Sequence, residues 1–194
     1  MATTVRKRTG DQLRDELLAA ATGLLSERLS VNPPSLRETA RACDVSATAV
    51  YRYFPSQQAL LAAIAEKSLA SLVAAIDARE LDDGIRGGDL RVRTMARSYV
   101  TWAVANPGAY QLLFEGRDLL EHPEAIDAGI DHLQHRLESL LGDVSGSDRD
   151  HRHRAELLWI ALHGLVLSRI RKMGQHWAQT IEEDAASLVG VFTR

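Results

Sequence analysis

The sequence predicts an all-α protein, with a small N-terminal head of three helices and a larger helical body, about nine helices in all. Three observations carry that expectation. Apolar residues recur at spacings of three and four over most of the chain, the period of a helix with one buried face. Aromatic residues are only 5% of the chain and proline occurs 5 times, whereas alanine and leucine abound. Near the N-terminus, Ser35–Phe54 (SLRETARACDVSATAVYRYF) reads as two short helices joined by a tight turn.

The chain opens on a basic arm, Arg6, Lys7 and Arg8. Such an arm either reaches a phosphate or a minor groove, or is a solvated terminus. Thr9 and Gln12 have capping-box spacing. The helix they open carries Leu13, Leu17, Ala21, Leu24 and Leu25 on one stripe and ends near Arg28, before Asn32-Pro33-Pro34 breaks the chain. Ser35 caps the second helix, whose Leu36, Thr39, Ala40 and Cys43 share a face. Asp44 sits where the chain turns, and Asp tolerates a left-handed backbone. Val45 plugs the turn from below, and Ser46 caps a third helix from Ala47 to about Phe54, with Val50 and Phe54 pointing inward.

This is the arrangement of a helix-turn-helix, whose second helix enters the DNA major groove. The outward residues suit that task. Ala47, Thr48 and Ala49 are small, so the helix can approach base edges; a Thr hydroxyl or methyl can touch a base. Tyr51, Arg52 and Tyr53 reach phosphate oxygens, and Ser35, Arg37, Ser46 and Gln57 complete the expected DNA-facing set. The plainer reading is an amphipathic helix pair with two structural tyrosines.

Ser56 caps a long helix from Gln57 to about Arg79, striped with Leu60, Leu61, Ile64, Leu69, Leu72, Val73 and Ile76. Glu80–Gly88 is a loop by composition. Asp89 is expected to cap a helix carrying Val92, Met95, Ala96, Tyr99, Val100 and Ala103, which Asn106-Pro107-Gly108 ends. Tyr110–Phe114 is a short apolar helix. His122-Pro123 starts another, with Ile126, Ile130, Leu133, Leu137, Leu140 and Leu141, and residues 142–147 (GDVSGS) form a loop. Asp148–Met173 is the most apolar helix; from Leu157 it is apolar nearly all round, so it must be covered on more than one side. Gly174 ends it. Thr180 and Glu183 repeat the capping-box spacing and open a last helix with Ile181, Ala185, Leu188, Val189 and Phe192.

The run SLRETARACDVSATAVYRYFPSQQALLAAI resembles the DNA-binding segment of the TetR (tetracycline-repressor-like) family of transcription regulators. The likeness covers about residues 10–75 and rests on Tyr51-Arg52-Tyr53-Phe54 late in the third helix, then Pro55-Ser56 and a fourth helix. Asp44 stands where the family usually has Gly, Cys43 replaces a usual Ala, and Gln57 stands where a Lys often contacts phosphate. The segment from Asn106 to Phe114 resembles the body of many such regulators. Trp159, His163 and Gly164 resemble the subgroup whose regulatory domain is named for W, H and G. The resemblance implies a DNA-binding head (1–55) and a ligand-binding and dimerisation body (56–194). It also implies a homodimeric repressor that meets a near-palindromic double-stranded operator and is released by a small, largely apolar effector. The expected pocket is Met95, Tyr99, Trp102, Tyr110, Phe114, Trp159 and His163. The expected seam between two copies is Leu162, Gly164, Leu167, Ile170, Ile181, Leu188 and Phe192.

Other chemistry finds little support. The chain has no Gly-rich phosphate loop, HExxH or cysteine pair, so no cofactor and no metal is expected. His132 and His135 share a helix face but lack an evident third ligand, and His151 and His153 read with them as solvated histidines. Cys43 reads as a small head residue rather than a redox sensor. Residues 1–58 carry 8 Lys/Arg against 6 Asp/Glu, and residues 59–194 carry 15 against 20, a mildly basic head on an acidic body. The N-terminus lacks an apolar signal core, no apolar run reaches membrane-spanning length, and a cytoplasmic location is expected. The competing readings are a helical enzyme acting on an apolar substrate and an interaction or small-molecule-binding protein whose head no longer binds DNA.

Overall fold

The computed structural model describes residues 9–26, 33–82, 87–145, 150–172 and 174–193. The expectations about Arg6–Arg8, Arg28, Asn32 and Met173 fall outside them. Among the described residues there are nine α-helices, one 3-10 turn and no strand. The head comprises α1 (Gly10–Ser26), α2 (Leu36–Ala42) and α3 (Ala47–Tyr51). The body comprises α4 (Gln57–Asp82), α5 (Gly88–Ala105), α6 (Pro107–Glu115), α7 (Glu124–Ser145), α8 (His151–Arg171) and α9 (Ile181–Phe192), with the 3-10 turn at Arg117–Leu119.

Two of the head helices, α2 with seven residues and α3 with five, are of a length that is marginal without help at the ends. All three head helices have such help. Thr9 N–H donates to Gln12 Oε1 (3.0 Å) and Gln12 N–H to Thr9 Oγ1 (3.3 Å), closing the predicted capping box. Ser35 Oγ accepts from Glu38 N–H at 3.2 Å while Glu38 Oε2 accepts from Ser35 N–H at 2.8 Å, a second reciprocal pair. Ser46 Oγ accepts from Ala49 N–H at 3.2 Å. Asp44 has φ +51°, the left-handed turn expected there. Leu17, Leu18, Ala21, Leu25, Leu36, Ala40, Val50 and Phe54 form the head's share of the buried core. Val45 is only half-buried, so the turn is sealed less completely than its sequence suggests.

The body departs from the expected boundaries at four places. α4 runs three residues past Arg79, to Asp82. It is also apolar and long enough to cross a membrane, with mean hydropathy 1.8 within Gln57–Glu80, contrary to the expectation that no segment is. Its apolar faces are instead used against α1, α5, α6 and α7. Asp89 does not cap α5; the N-cap is Gly87 without a side-chain bond, and Asp89 accepts from Arg93 Nε at 2.8 Å within the first turn. α7 continues through Gly142 to Ser145, because Leu140, Leu141 and Val144 keep the buried stripe going. α6 starts at Pro107 rather than Tyr110, with proline at its first position, where the missing N–H costs nothing.

Head and body meet along α1, α4 and α6. Gly108 is a point of very close approach: a Cβ there would lie 2.2 Å from the carbonyl oxygen of Leu25 in α1. At the start of the body, Ser56 caps α4 by accepting from Ala59 N–H (2.9 Å) and donates to Glu121 Oε2 (3.3 Å).

Candidate nucleic-acid interface and effector chamber

α3 offers a narrow row of side chains to solvent. Val50 and Phe54 are fully or almost fully buried, which fixes the helix's rotation. Thr48, Tyr51 and Arg52 are exposed, while Ala47 and Ala49 are partly so and small enough to allow close approach. Arg37 on α2 and Ser46 at the cap lie exposed beside them. Tyr53 is half-buried against the head core, near Gly10. Gln57 is exposed, but its amide is engaged: Nε2 donates to the carbonyls of Pro33 (3.3 Å) and Pro34 (3.2 Å). It therefore fastens the start of α4 to the segment entering α2, and the hydrogens that would meet a phosphate are engaged. Ser35 is likewise occupied, its hydroxyl donating to Glu38 Oε2 at 2.8 Å. Cys43 is half-exposed, with its thiol 3.6 Å from the Glu16 carbonyl oxygen.

In the body, five of the seven expected pocket residues converge. Tyr99 (α5), Tyr110 and Phe114 (α6), and Trp159 and His163 (α8) pack ring against ring, with centroids 4.5 Å apart for Phe114–His163 and 5.3 Å for Tyr99–Trp159. The Tyr99 hydroxyl lies 2.8 Å from His163 Nδ1 and 3.3 Å from the Tyr110 hydroxyl. Burial lowers the pKa of His163 to about 4, outweighing its hydrogen bond to the Trp159 backbone, so the imidazole is neutral at physiological pH. Burial likewise raises both tyrosines, which stay protonated. The packed ring cluster is thus aromatic, uncharged and able to donate or accept a hydrogen bond at its centre. Met95 is buried in the same helix as Tyr99. Trp102 is not part of the ring cluster; it faces α4, where its indole N–H donates to Ser71 Oγ at 3.1 Å.

Trp159 also lines a surface cleft of about 300 Å³ between α7 and α8, with His135, Glu138, Arg152 and Ile160. A second groove, about 480 Å³, runs between α4 and α7 over Leu69, Val73, Ala74 and Ile126, with Glu66, Asp77 and His132 at its edges. Asp77 of that groove pairs with Arg136 (2.7 Å), which also pairs with Glu80 (2.9 Å).

The expected seam residues divide. Leu162, Ile170 and Ile181 are buried in the protomer's own core, so their side chains are not available to a second copy. This corrects the choice of face on α8, where an all-round apolar sequence gave no direction. Gly164 is open, with nothing within 4 Å of a Cβ, and Leu167, Leu188 and Phe192 are half-buried. Among the described residues of the body, the large apolar side chains left exposed are Leu90 at the start of α5, Leu157, Ile160 (64% exposed) and Val191 (66%). Leu157, Ile160, Gly164 and Leu167 share one side of α8 at helical spacing.

Comparison with known proteins agrees with these two regions. Residues 92–192, more than half the chain, match the family described as "Tetracyclin repressor-like, C-terminal domain". Residues 17–64 match that described as "Bacterial regulatory proteins, tetR family". The nucleoid occlusion factor SlmA of Glaesserella parasuis is 25% identical over 124 residues, which are 64% of this chain and 60% of that protein, so the match stops short of two thirds of the relative's length. Among solved structures, a protein of unknown function from Rhodococcus sp. RHA1 superposes with TM-score 0.80 at 22% identity, covering 98% of this chain and 97% of that one. AibR, solved in complex with isovaleryl coenzyme A and operator DNA, superposes with TM-score 0.71 at 22% identity, covering 92% and 96%. At these identities the structural matches show a shared fold.

Proposed function

The chain belongs to the TetR family of bacterial regulatory proteins, and from that footing we propose that it is a homodimeric repressor. In this reading it binds a near-palindromic operator in the cytoplasm and leaves it when a small, largely apolar effector enters the body. The observation that carries the reading is the set of α3: Val50 and Phe54 hold the helix from beneath while Thr48, Tyr51 and Arg52 stand outward. Thr48, Ala47 and Ala49 face base edges, and Tyr51, Arg52 and Arg37 hold phosphates. Head (1–55) and body (56–194) divide the work. The seam between copies is the α8 side bearing Leu157, Ile160, Gly164 and Leu167, with Val191, Leu188 and Phe192 of α9. The uncharged ring chamber supports an effector of apolar character, which must part Tyr99 from His163 to enter. AibR, of like fold, was solved with both an acyl-coenzyme A and operator DNA, and that pairing lends weight to an effector-controlled operator here. Effector binding shifts the dimer toward a head spacing the operator does not fit, by its differential affinity for the two states.

The test is selection of bound duplexes from a random DNA pool, with Tyr51→Ala alongside. The expected result is an inverted repeat for the wild type and weaker binding to every sequence for the variant, with base preferences unchanged. A folded dimer that enriches no motif would overturn the reading. Ile160→Glu should give monomers by light scattering, since it places two charges in the seam; an unchanged dimer mass would move the seam elsewhere.

A further inference from the structure

One side chain joins the two ends of the helix-turn-helix. The unit runs from the Ser35 cap through α2 and α3. Pro33 and Pro34 lead into it, and α4 leads out of it. Gln57, the first residue of α4, donates from Nε2 to the Pro33 carbonyl at 3.3 Å and to the Pro34 carbonyl at 3.2 Å. These two carbonyls precede α2 and stand outside its backbone ladder, which begins with Thr39 N–H donating to the Ser35 carbonyl at 3.0 Å. Both acceptors sit on prolines, whose rings stiffen the backbone that carries them. Pro34 is buried, and the bond to it is partly buried. The amide therefore closes the chain from residue 33 to residue 57 around the reading unit.

Packing does not duplicate this bridge. α2 packs against α1 and α3, and among the described residues none of the extensive helix contacts joins α2 or α3 to α4. Val50 and Phe54 set the roll of α3 through burial. Apolar burial is non-directional, whereas a hydrogen bond fixes distance and angle. The position of the α2 entry relative to the start of α4 thus falls to Gln57.

We infer that Gln57 is a positioning residue for DNA reading: it staples the entry of α2 to the start of α4, fixes the pose in which α3 meets base edges, and so favours operator over other DNA without touching either. Contacts to base edges demand one pose, while attraction to the phosphate backbone is largely electrostatic and tolerates several. The consequence for DNA rests on the operator-binding reading; the staple itself does not.

Gln57→Leu keeps the size of the side chain and removes both donors. Two measurements on the full chain test it. The first, backbone hydrogen exchange, needs no DNA. Amides of α2 and α3 should exchange about fivefold faster in the variant, the worth of one ordinary hydrogen bond, while those of α8 keep their rates. Unchanged rates in α2 and α3 overturn the staple. So does an equal acceleration in α8, which would make Gln57 a support of the whole chain. The second measurement compares affinity for the inverted-repeat duplex that the wild type enriches with affinity for a shuffled duplex of the same length and composition. The variant should lose at least about fivefold on the inverted repeat and nothing on the shuffled duplex. Equal loss on both assigns Gln57 to a phosphate and overturns the positioning role, as does no loss on either. A wild type that enriches no inverted repeat takes down the operator reading and the positioning role with it, while faster exchange in α2 and α3 would still establish the staple, so the two failures are told apart.

Discussion

Head and body hold their helices by different means. All three head helices start on a side-chain cap, from Thr9, Ser35 and Ser46. In the body, α4 and α9 are also capped, by Ser56 and Thr180, but α5, α6 and α8 start without a side-chain cap bond. For α5 and α8 the difference follows from length. A helix of five or seven residues makes few internal hydrogen bonds and leaves most of its backbone groups to be satisfied at its ends. A helix of 18 or 21 residues, as α5 and α8 are, draws its stability from a long buried face. The head is therefore tuned by hydrogen bonds near its surface, and the body by packing.

The largest effect should come from packing where the two regions join. Gly108→Ala puts a methyl into the Leu25 backbone, which cannot swing aside, and should cost about 3 kcal/mol in urea unfolding, the upper end of overpacking penalties. An effect under half of that would mean that α6 and α1 slide freely past each other. Next comes the buried imidazole. His163 has a folded pKa of about 4 against about 6.5 when unfolded, so the unfolded chain binds the proton first. Stability is full above about pH 6.5 and falls as pH drops toward 4, by at most about 3 kcal/mol and by less for a ring with some solvent contact. His163→Phe should flatten that part of the stability–pH curve; a curve of unchanged shape would assign the loss to other groups.

The remaining two tests set a head cap against a body cap. Ser35→Ala removes the hydroxyl that accepts from Glu38 N–H and donates to Glu38 Oε2, while the backbone half of the pair remains; it should cost about 1 kcal/mol, with weaker DNA binding because α2 and α3 are mutually packed. Gly87→Ser, which offers α5 the cap it lacks, should change stability by only a few tenths of a kcal/mol. Thermal unfolding of the two variants side by side decides whether head and body differ as described. Comparable shifts in both would remove the distinction.

The same difference explains what could be read from sequence. Caps and turns are local, so Thr9, Ser35, Ser46 and Asp44 announced the head by residue type and spacing alone. Val50 and Phe54 followed from one helical period. What escaped was long-range: the amide of Gln57 reaching Pro33 and Pro34 cannot be seen from a residue at a helix start. In the body, aromatic residues in three helices pointed to a chamber, yet nothing in the sequence could separate Trp102, turned toward Ser71, from Tyr99 three residues earlier. The segment Leu157–Ile170 is apolar nearly all round, so its period could not say which leucines face inward. Leu162 and Ile170 were assigned to a seam that Leu157 and Ile160 are free to form. Gly142 looked like loop, but the apolar stripe passes straight through it.

The contact at Gly108 bears on how force would travel between the two regions. Side chains between two elements act as a cushion, since rotamers can yield before a backbone moves. At Gly108 there is none, and α6 rests directly on the main chain of α1. A tilt of α6 would therefore reach α1 undamped, as through a bearing without play. The tie from Arg171 at the end of α8 to Glu115 at the end of α6, 2.8 Å long, gives the far side of the body a handle on that bearing.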